Sequence, residues 1–244
     1  MPTVEVIFLI GVHRAPYTFF LVILLAESEK RPEGEMSNMI EDQCKHLFNL
    51  YVIVHKTVGA QLGLEAGSRF WTAVRTYAPV IYQAPGVQLR APKIISYEVK
   101  RERAAFHWKR WGSQGKSFLE GAAYYLDKEN YRLAAFLLHQ VAESTLKALV
   151  QAILGYRIQM HNLSRLLRLS LLFTEELRKD FKLNTPEGLR LFGLLQSAYS
   201  KSRYSNSFDP DEASIKMLMI TLTHFYGTAT SVYHQYLGKL KDEV

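Results

Sequence analysis

The sequence predicts an α+β protein in which a small α/β domain precedes an all-α antiparallel helical bundle. Strand-like and helix-like segments alternate over the first 85 residues, and this alternation is typical of an α/β layer. From residue 101 onward, apolar residues recur at helical spacing in long segments with short connections, which favours antiparallel neighbours. We therefore assign an α/β domain to residues 1–85, a linker to 86–100 and a helical bundle to 101–244.

Four strands and two helices are expected in the first domain. The strands are placed where β-branched and aromatic residues cluster, at Val6–Val12, Tyr17–Ala26, Leu50–His55 and Pro79–Gln83. Helical spacing predicts helices at Asn38–Asn49 and Leu64–Tyr77. The charged stretch Glu27–Ser37 is expected to be a loop, and prolines with Gly86 mark the start of the linker.

Five helices are expected in the bundle. They are predicted at Glu102–Asp127, Tyr131–Leu154, Leu163–Phe173, Pro186–Tyr204 and Asp211–Leu240. Asn130 and Gly155 are expected to end the first two helices, because both residue types tolerate a left-handed backbone. Asn162 is the expected N-cap of the third helix, and Thr185 before Pro186 predicts the start of the fourth.

The positive charge lies mostly in the second half. Of the formal net charge of +7, residues 101–244 contribute 20 basic and 14 acidic side chains, whereas residues 1–100 carry 10 basic and 9 acidic ones. A basic bundle favours a polyanionic partner such as a nucleotide or RNA, although ordinary solubilising charge explains it equally well. The single cysteine, Cys44, excludes an internal disulfide and fits a reducing cytosol, so a cytoplasmic location is expected.

The apolar segment Val4–Ala26 is long enough to span a bilayer, but it contains Glu5, Arg14 and Pro16. An arginine in the middle of a span costs roughly 2.5–3.5 kcal/mol on insertion scales. Two buried strands around a turn at His13–Pro16 account for the pattern better. We therefore expect no membrane segment and no signal peptide here.

Three blocks of the bundle resemble the HEPN domain. They are RLAAFLLHQVAES (Arg132–Ser144), GYRIQMHNLSRLL (Gly155–Leu167) and LFGLLQSAYSKSRY (Leu191–Tyr204). The resemblance implies an antiparallel four- or five-helix bundle, usually a homodimer, with a nucleotide- or RNA-handling role in bacterial-type proteins. Many members are metal-independent ribonucleases with an Arg-x4–6-His motif. This chain departs from that motif, because only three residues separate Arg157 from His161.

The polar residues of these blocks are the candidate contacts for a nucleotide or RNA: His139, Gln140, Glu143, Lys147, Tyr199, Arg203 and Tyr204. Residues four apart lie on one side of a helix, so His139, Glu143 and Lys147 form a stripe. An exposed ion pair between the last two, worth roughly 0.2–0.5 kcal/mol, is the simpler interpretation of that pair. His139 fits either a groove residue or a core donor.

Two residues are candidates for catalysis. His161 has no evident structural need and suits phosphate contact or acid–base chemistry, with Arg157 as the cation beside it. Arg203 offers bidentate phosphate contact and Tyr199 a stacking surface, although an arginine–tyrosine stack that closes the helix is the alternative.

The order of elements in the first domain resembles a nucleotidyltransferase that has lost its catalytic residues. An active one holds Mg²⁺ between two carboxylates of an Asp-x-Asp strand. Here Val12 follows Ile10-Gly11, and the only aspartate in residues 1–100 is Asp42. We therefore predict no metal site and no cofactor.

Three hypotheses for function follow, in order of preference. The first is a dimeric, non-catalytic module that binds a nucleotide or RNA. The second is a dimeric scaffold without a nucleic-acid ligand. The third is a metal-independent ribonuclease that uses His161.

Overall fold

A computed structural model describes residues 4–14 and 17–241. The chain forms two compact units, residues 1–96 and residues 97–244. The first is a four-stranded sheet with helices and the second is entirely helical, so the predicted α+β class is confirmed. The turn expected at His13–Pro16 lies partly outside the described residues.

The sheet of the first unit has the strand order β3-β2-β1-β4. Its strands are β1 (Val4–Arg14), β2 (Tyr17–Leu25), β3 (Asn49–Lys56) and β4 (Val80–Gln83), which confirms the four predicted strands. Strand β1 pairs antiparallel with β2 and β4, whereas β2 and β3 are parallel. The β2–β3 crossover contains α1 (Glu33–Cys44), as parallel pairing requires.

Both predicted helices of this unit have wrong bounds, and the one expected to run to Asn49 ends at Cys44, since Asn49 begins β3. Helix α1 begins inside the stretch expected to be a loop, since Glu33 and Glu35 lie in its first turn, where acidic side chains interact favourably with the helix dipole. The helix expected at Leu64–Tyr77 begins later, as α3 (Arg69–Tyr77), and is preceded by a separate helix, α2 (Thr57–Glu65), most of which was not predicted. Gly67 separates the two helices with a φ of 65°.

The second unit begins with α4 (Tyr97–His107), so the last four residues of the predicted linker are helical. A π-helical turn at Trp108–Gly112 joins α4 to α5 (Ser113–Asp127). The next helix, α6 (Tyr131–Leu149), continues through a second π-helical turn at Val150–Leu154. Neither π turn was predicted, because each changes the helical spacing of apolar residues in the sequence only slightly.

Four further helices complete this unit. They are α7 (Leu163–Ser170), α8 (Glu176–Asp180), α9 (Pro186–Tyr204) and α10 (Glu212–Lys241). The short α8 was missed, whereas α9 has its predicted bounds and its predicted cap at Thr185. Gly155 ends the second π turn in a left-handed conformation, as predicted.

Asn130 does not end a helix as predicted. The left-handed residue after α5 is Glu129, with a φ of 56°. Asn130 instead caps the start of α6, where its side chain accepts a hydrogen bond from the Leu133 amide at 3.1 Å. This cap satisfies an amide that has no partner within the helix.

Helix α6 is the central element of the second unit and packs against α5, α9 and α10. Every residue from Val141 to Leu149 is buried. Helix α5 approaches it closely at Gly115, where a Cβ atom would lie 2.8 Å from Thr145 Oγ1. Together with its π turn, this is the one described helix long and apolar enough to cross a membrane, but 78% of its apolar window is buried. A core helix of a bundle has the same properties.

Candidate functional site

Three polar residues of α6 lie inside the helical unit. His139, Glu143 and Lys147 are four residues apart, so they share one side of the helix. Their exposed fractions are only 2%, 5% and 5%. The interpretation of Glu143 and Lys147 as an exposed surface pair is therefore wrong, because the rest of the bundle encloses both side chains.

The Glu143 carboxylate is the centre of this cluster. Its Oε1 atom accepts hydrogen bonds from Lys147 Nζ at 2.7 Å and from His161 Nδ1 at 2.9 Å. His139 Nε2 lies 3.3 Å from Oε2 without hydrogen-bond geometry. We call Glu143, Lys147, His139 and His161 the buried cluster, after its three enclosed members, with His161 at its exposed edge. It joins two of the three sequence blocks, since Glu143 and His161 are 18 residues apart in the chain.

The buried cluster stabilises the ionised form of Glu143. Burial is the largest influence and by itself would raise the pKa of this carboxyl. Contacts with His139, Lys147 and His161 together outweigh burial and lower the pKa from 4.5 to about 2. The carboxylate is therefore charged at neutral pH, and the positive Lys147 side chain compensates for it in a poorly solvated environment.

His139 is a core residue that also borders the site. Its Nδ1 lies 3.0 Å from the carbonyl oxygen of Leu195 on α9. A carbonyl oxygen only accepts, so Nδ1 carries a hydrogen and donates it. The ring also lies against Tyr199, with 5.1 Å between the centroids. The structure therefore favours the core-donor alternative, since Nδ1 is satisfied and the side chain is only 2% exposed.

His161 connects the buried cluster to solvent. It precedes α7, whose N-cap Asn162 accepts from the Arg165 amide at 3.0 Å, which confirms that predicted cap. The His161 side chain is 54% exposed although Glu143 holds its Nδ1. Because a carboxylate only accepts, Nδ1 carries the hydrogen and Nε2 is left for other contacts.

Tyr199 on α9 brings His161 and Arg203 together. The rings of His161 and Tyr199 are stacked, with centroids 5.4 Å apart and planes at 15°. The Arg203 guanidinium lies 4.2 Å from the Tyr199 centroid, and its Nε donates to the Tyr199 carbonyl oxygen at 2.9 Å. Arg203 and the adjoining Tyr204 are both exposed. An imidazole and a guanidinium thus share one aromatic ring at the surface.

Two of the candidate residues are not joined to this arrangement. Arg157 is exposed, and within residues 4–14 and 17–241 no hydrogen bond or ion pair links it to Glu143 or His161. Gln140 is partly buried and, over the same described residues, likewise has no such link. The same described part of the chain holds no group of three or more His, Cys, Asp or Glu side chains suited to a metal ion.

Sequence reasoning missed Trp111, which adjoins the buried cluster. Lys147 Nζ lies 5.7 Å from the centre of its ring, and the guanidinium of Arg110 lies 5.0 Å from it. The available signal was a tryptophan directly after two basic residues, Lys109 and Arg110. The π turn that carries Trp111 is not visible in the sequence, so its proximity to Lys147 could not be predicted.

The buried cluster, Tyr199 and Arg203 all lie in a part of the chain that matches one protein family. The model of the HEPN domain matches residues 108–228. This part of the chain is a HEPN domain. The match runs from the first π turn into α10, so it includes α6, α7 and α9, and it confirms the resemblance drawn from the sequence blocks.

Solved structures give two further comparisons. An archaeal HEPN homologue is 23% identical, with a TM-score of 0.38, over 51% of this chain and 96% of its own. A nucleotidyltransferase-like protein from Exiguobacterium sibiricum is 12% identical, with a TM-score of 0.33, over 100% of this chain and 75% of its own. A comparison with curated proteins gives no match.

In the first unit, a lysine occupies the carboxyl end of the parallel strands. Lys56 ends β3, and its Nζ donates to the carbonyl oxygens of Ala26, at 3.2 Å, and Glu29. Asp42 lies on α1 and contacts Lys45 at 3.5 Å. The sole aspartate of residues 1–100 therefore belongs to a helix and has a basic partner there.

Proposed function

We propose that this protein is a non-catalytic HEPN module that binds the phosphate groups of a nucleotide or RNA. The observation that carries the proposal is the shared Tyr199 ring, which holds the His161 imidazole at 5.4 Å and the Arg203 guanidinium at 4.2 Å. Arginine matches phosphate oxygens with a planar fork of donors, and the exposed ring of the adjoining Tyr204 can stack on a base.

The buried cluster supports this proposal because it keeps the site in place before a ligand arrives. Glu143 fixes the hydrogen of His161 on Nδ1, which orients the ring against Tyr199. Lys147 balances the charge of Glu143, so the carboxylate adds little repulsion toward an incoming phosphate. The excess of basic side chains in residues 101–244 also attracts polyanions to this part of the chain.

A homodimer and a cytoplasmic location are also part of the proposal. Helix α10 exposes two large apolar side chains, Met217 at 45% and Ile220 at 72%. Their spacing of three residues places them on the same side of α10, which suits packing against a helix of a second copy. The dimeric scaffold remains the next alternative, since it needs this surface but not the phosphate site.

One observation favours a second candidate function, metal-independent cleavage of RNA. The contact between Glu143 and His161 resembles the arrangement in which a carboxylate orients a histidine for proton transfer through its other nitrogen. Arg203 would then stabilise the charge that develops on the phosphate. The exposed position of Arg157 and its spacing from His161 favour the non-catalytic proposal instead.

Arg203→Ala is expected to weaken RNA binding by roughly 10- to 100-fold, because a hydrogen bond to a charged group is worth about 1.5–3 kcal/mol. The measurement is fluorescence anisotropy of a labelled single-stranded RNA over a range of salt concentrations. Removing one phosphate contact should also lower the slope of the logarithm of the binding constant against the logarithm of the salt concentration by about one. Arg190→Ala is the matched control, since Arg190 is on the same helix but pairs with Glu187. Equal binding by wild type and Arg203→Ala would contradict the proposal.

A further inference from the structure

Trp111 lies in the π-helical turn Trp108–Gly112. Such a turn changes the direction of the side chains that it carries, and π turns are frequent at functional sites. Trp108 of the same turn stacks on Tyr233, with centroids 4.5 Å apart and planes at 7°, so its role is packing. Within the part of the chain that the structure describes, Trp111 has no aromatic partner and is only partly buried. Its ring instead lies near two cations, Lys147 and Arg110.

Trp111 is joined to the proposed phosphate site through the buried cluster. Its ring lies 5.7 Å from Lys147 Nζ, which donates to Glu143 at 2.7 Å. The same Glu143 oxygen accepts from His161 at 2.9 Å. His161 and Trp111 therefore each contact one member of a single ion pair, and Lys147 with Glu143 links the His161–Tyr199 stack to Trp111.

Exposed cations accompany Trp111 on this stretch of the chain. Arg110 lies 5.0 Å from the ring centre, and Lys109, Arg110 and Lys116 are all exposed. Proteins that bind single-stranded nucleic acids combine cations that follow the backbone with aromatic rings on which successive bases stack. Because Arg110 is exposed, its guanidinium can stack on a base that lies against Trp111 or move aside for it.

We infer that Trp111 is a base-stacking position that acts together with the phosphate site at Tyr199, and that the ligand is single-stranded RNA rather than a mononucleotide. The inference rests on the proposed function, because that phosphate site is the first of the two positions. A mononucleotide occupies one position only, whereas a strand of several nucleotides reaches both. Double-stranded RNA keeps its bases stacked on each other, so it does not offer them to either ring.

The test compares Trp111→Leu with Trp111→Phe in the full chain. Leucine keeps an apolar side chain without an aromatic surface, and phenylalanine keeps the surface. Tyr124→Leu is the matched control, because Tyr124 is an exposed aromatic with a nearby cation, Lys128 at 5.8 Å. Tyr124 lies 13 residues after Trp111, which corresponds to about 20 Å along a helix. Each variant is titrated against a labelled 12-nucleotide single-stranded RNA, its duplex and uridine monophosphate, and its fold is checked by circular dichroism.

Trp111→Leu is expected to bind the single strand roughly 5- to 150-fold more weakly than wild type, with unchanged binding of uridine monophosphate. Trp111→Phe should keep most of the affinity, Tyr124→Leu all of it, and the duplex should bind more weakly than the single strand. Unchanged binding of the single strand by Trp111→Leu, or equal binding of the duplex by wild type, would overturn the inference. If wild type bound neither RNA nor mononucleotide, the proposed function itself would be wrong.

Discussion

Glu143→Gln is expected to destabilise the protein by about 3–5 kcal/mol, the cost of leaving one charge of a buried pair without its partner. In this variant the Lys147 side chain, 5% exposed, would lose its carboxylate partner. The hydrogen bond that holds His161 would also lose its charged acceptor. Urea unfolding followed by far-ultraviolet circular dichroism measures the loss.

Two further variants determine whether burial is the cause. Glu176→Gln removes the carboxylate of an exposed pair with Lys179, so a change below about 1 kcal/mol is expected. Glu143→Gln combined with Lys147→Met removes the charge that would be left alone, so the double variant should regain part of the lost stability. A loss for Glu143→Gln as small as that for Glu176→Gln would show that the pair is not enclosed as described.

Stability should fall in acid because Glu143 must then bind a proton. The pKa of this carboxyl is about 2 in the folded protein and 4.5 as its ordinary value. Its stabilising contribution is therefore complete above pH 4.5 and declines as pH falls toward 2. Within this window each pH unit costs up to about 1.4 kcal/mol, and the whole contribution is on the order of 3 kcal/mol.

The measurement is the free energy of unfolding between pH 6 and pH 3 for wild type and Glu143→Gln. Other carboxyl groups with lowered pKa values, such as that of Glu187, change the stability of both proteins alike. The difference between the two curves thus isolates Glu143 and should shrink as the pH falls. Parallel curves would mean that Glu143 keeps an ordinary pKa in the folded protein.

The stripe of His139, Glu143 and Lys147 could be predicted from the sequence, because a spacing of four fixes which residues share a helix side. Its burial could not be predicted. The same spacing describes an exposed ion pair, and the distinction depends on what packs against α6. Here the loop before α7 brings His161 to Glu143, and α9 brings the Leu195 carbonyl to His139.

Local signals predicted the caps well and the irregularities poorly. Thr185 and Asn162 cap helices as expected, since a capping side chain bonds to an amide two or three residues away. Gly67 separates two helices where its neighbours favour one, and the π turn at Trp111 has no signal in the sequence. Trp111 was therefore absent from the predicted site although it adjoins Lys147.

The most direct test is a gel of labelled single-stranded RNA incubated with wild type and with His161→Ala, in the absence of metal ions. The account predicts that wild type retards the RNA without cutting it, and that His161→Ala retards it less, since His161 and Arg203 both contact the Tyr199 ring. An intact band that wild type does not retard would contradict binding at this site. Cleavage by wild type that His161→Ala loses would contradict the non-catalytic role and establish a ribonuclease.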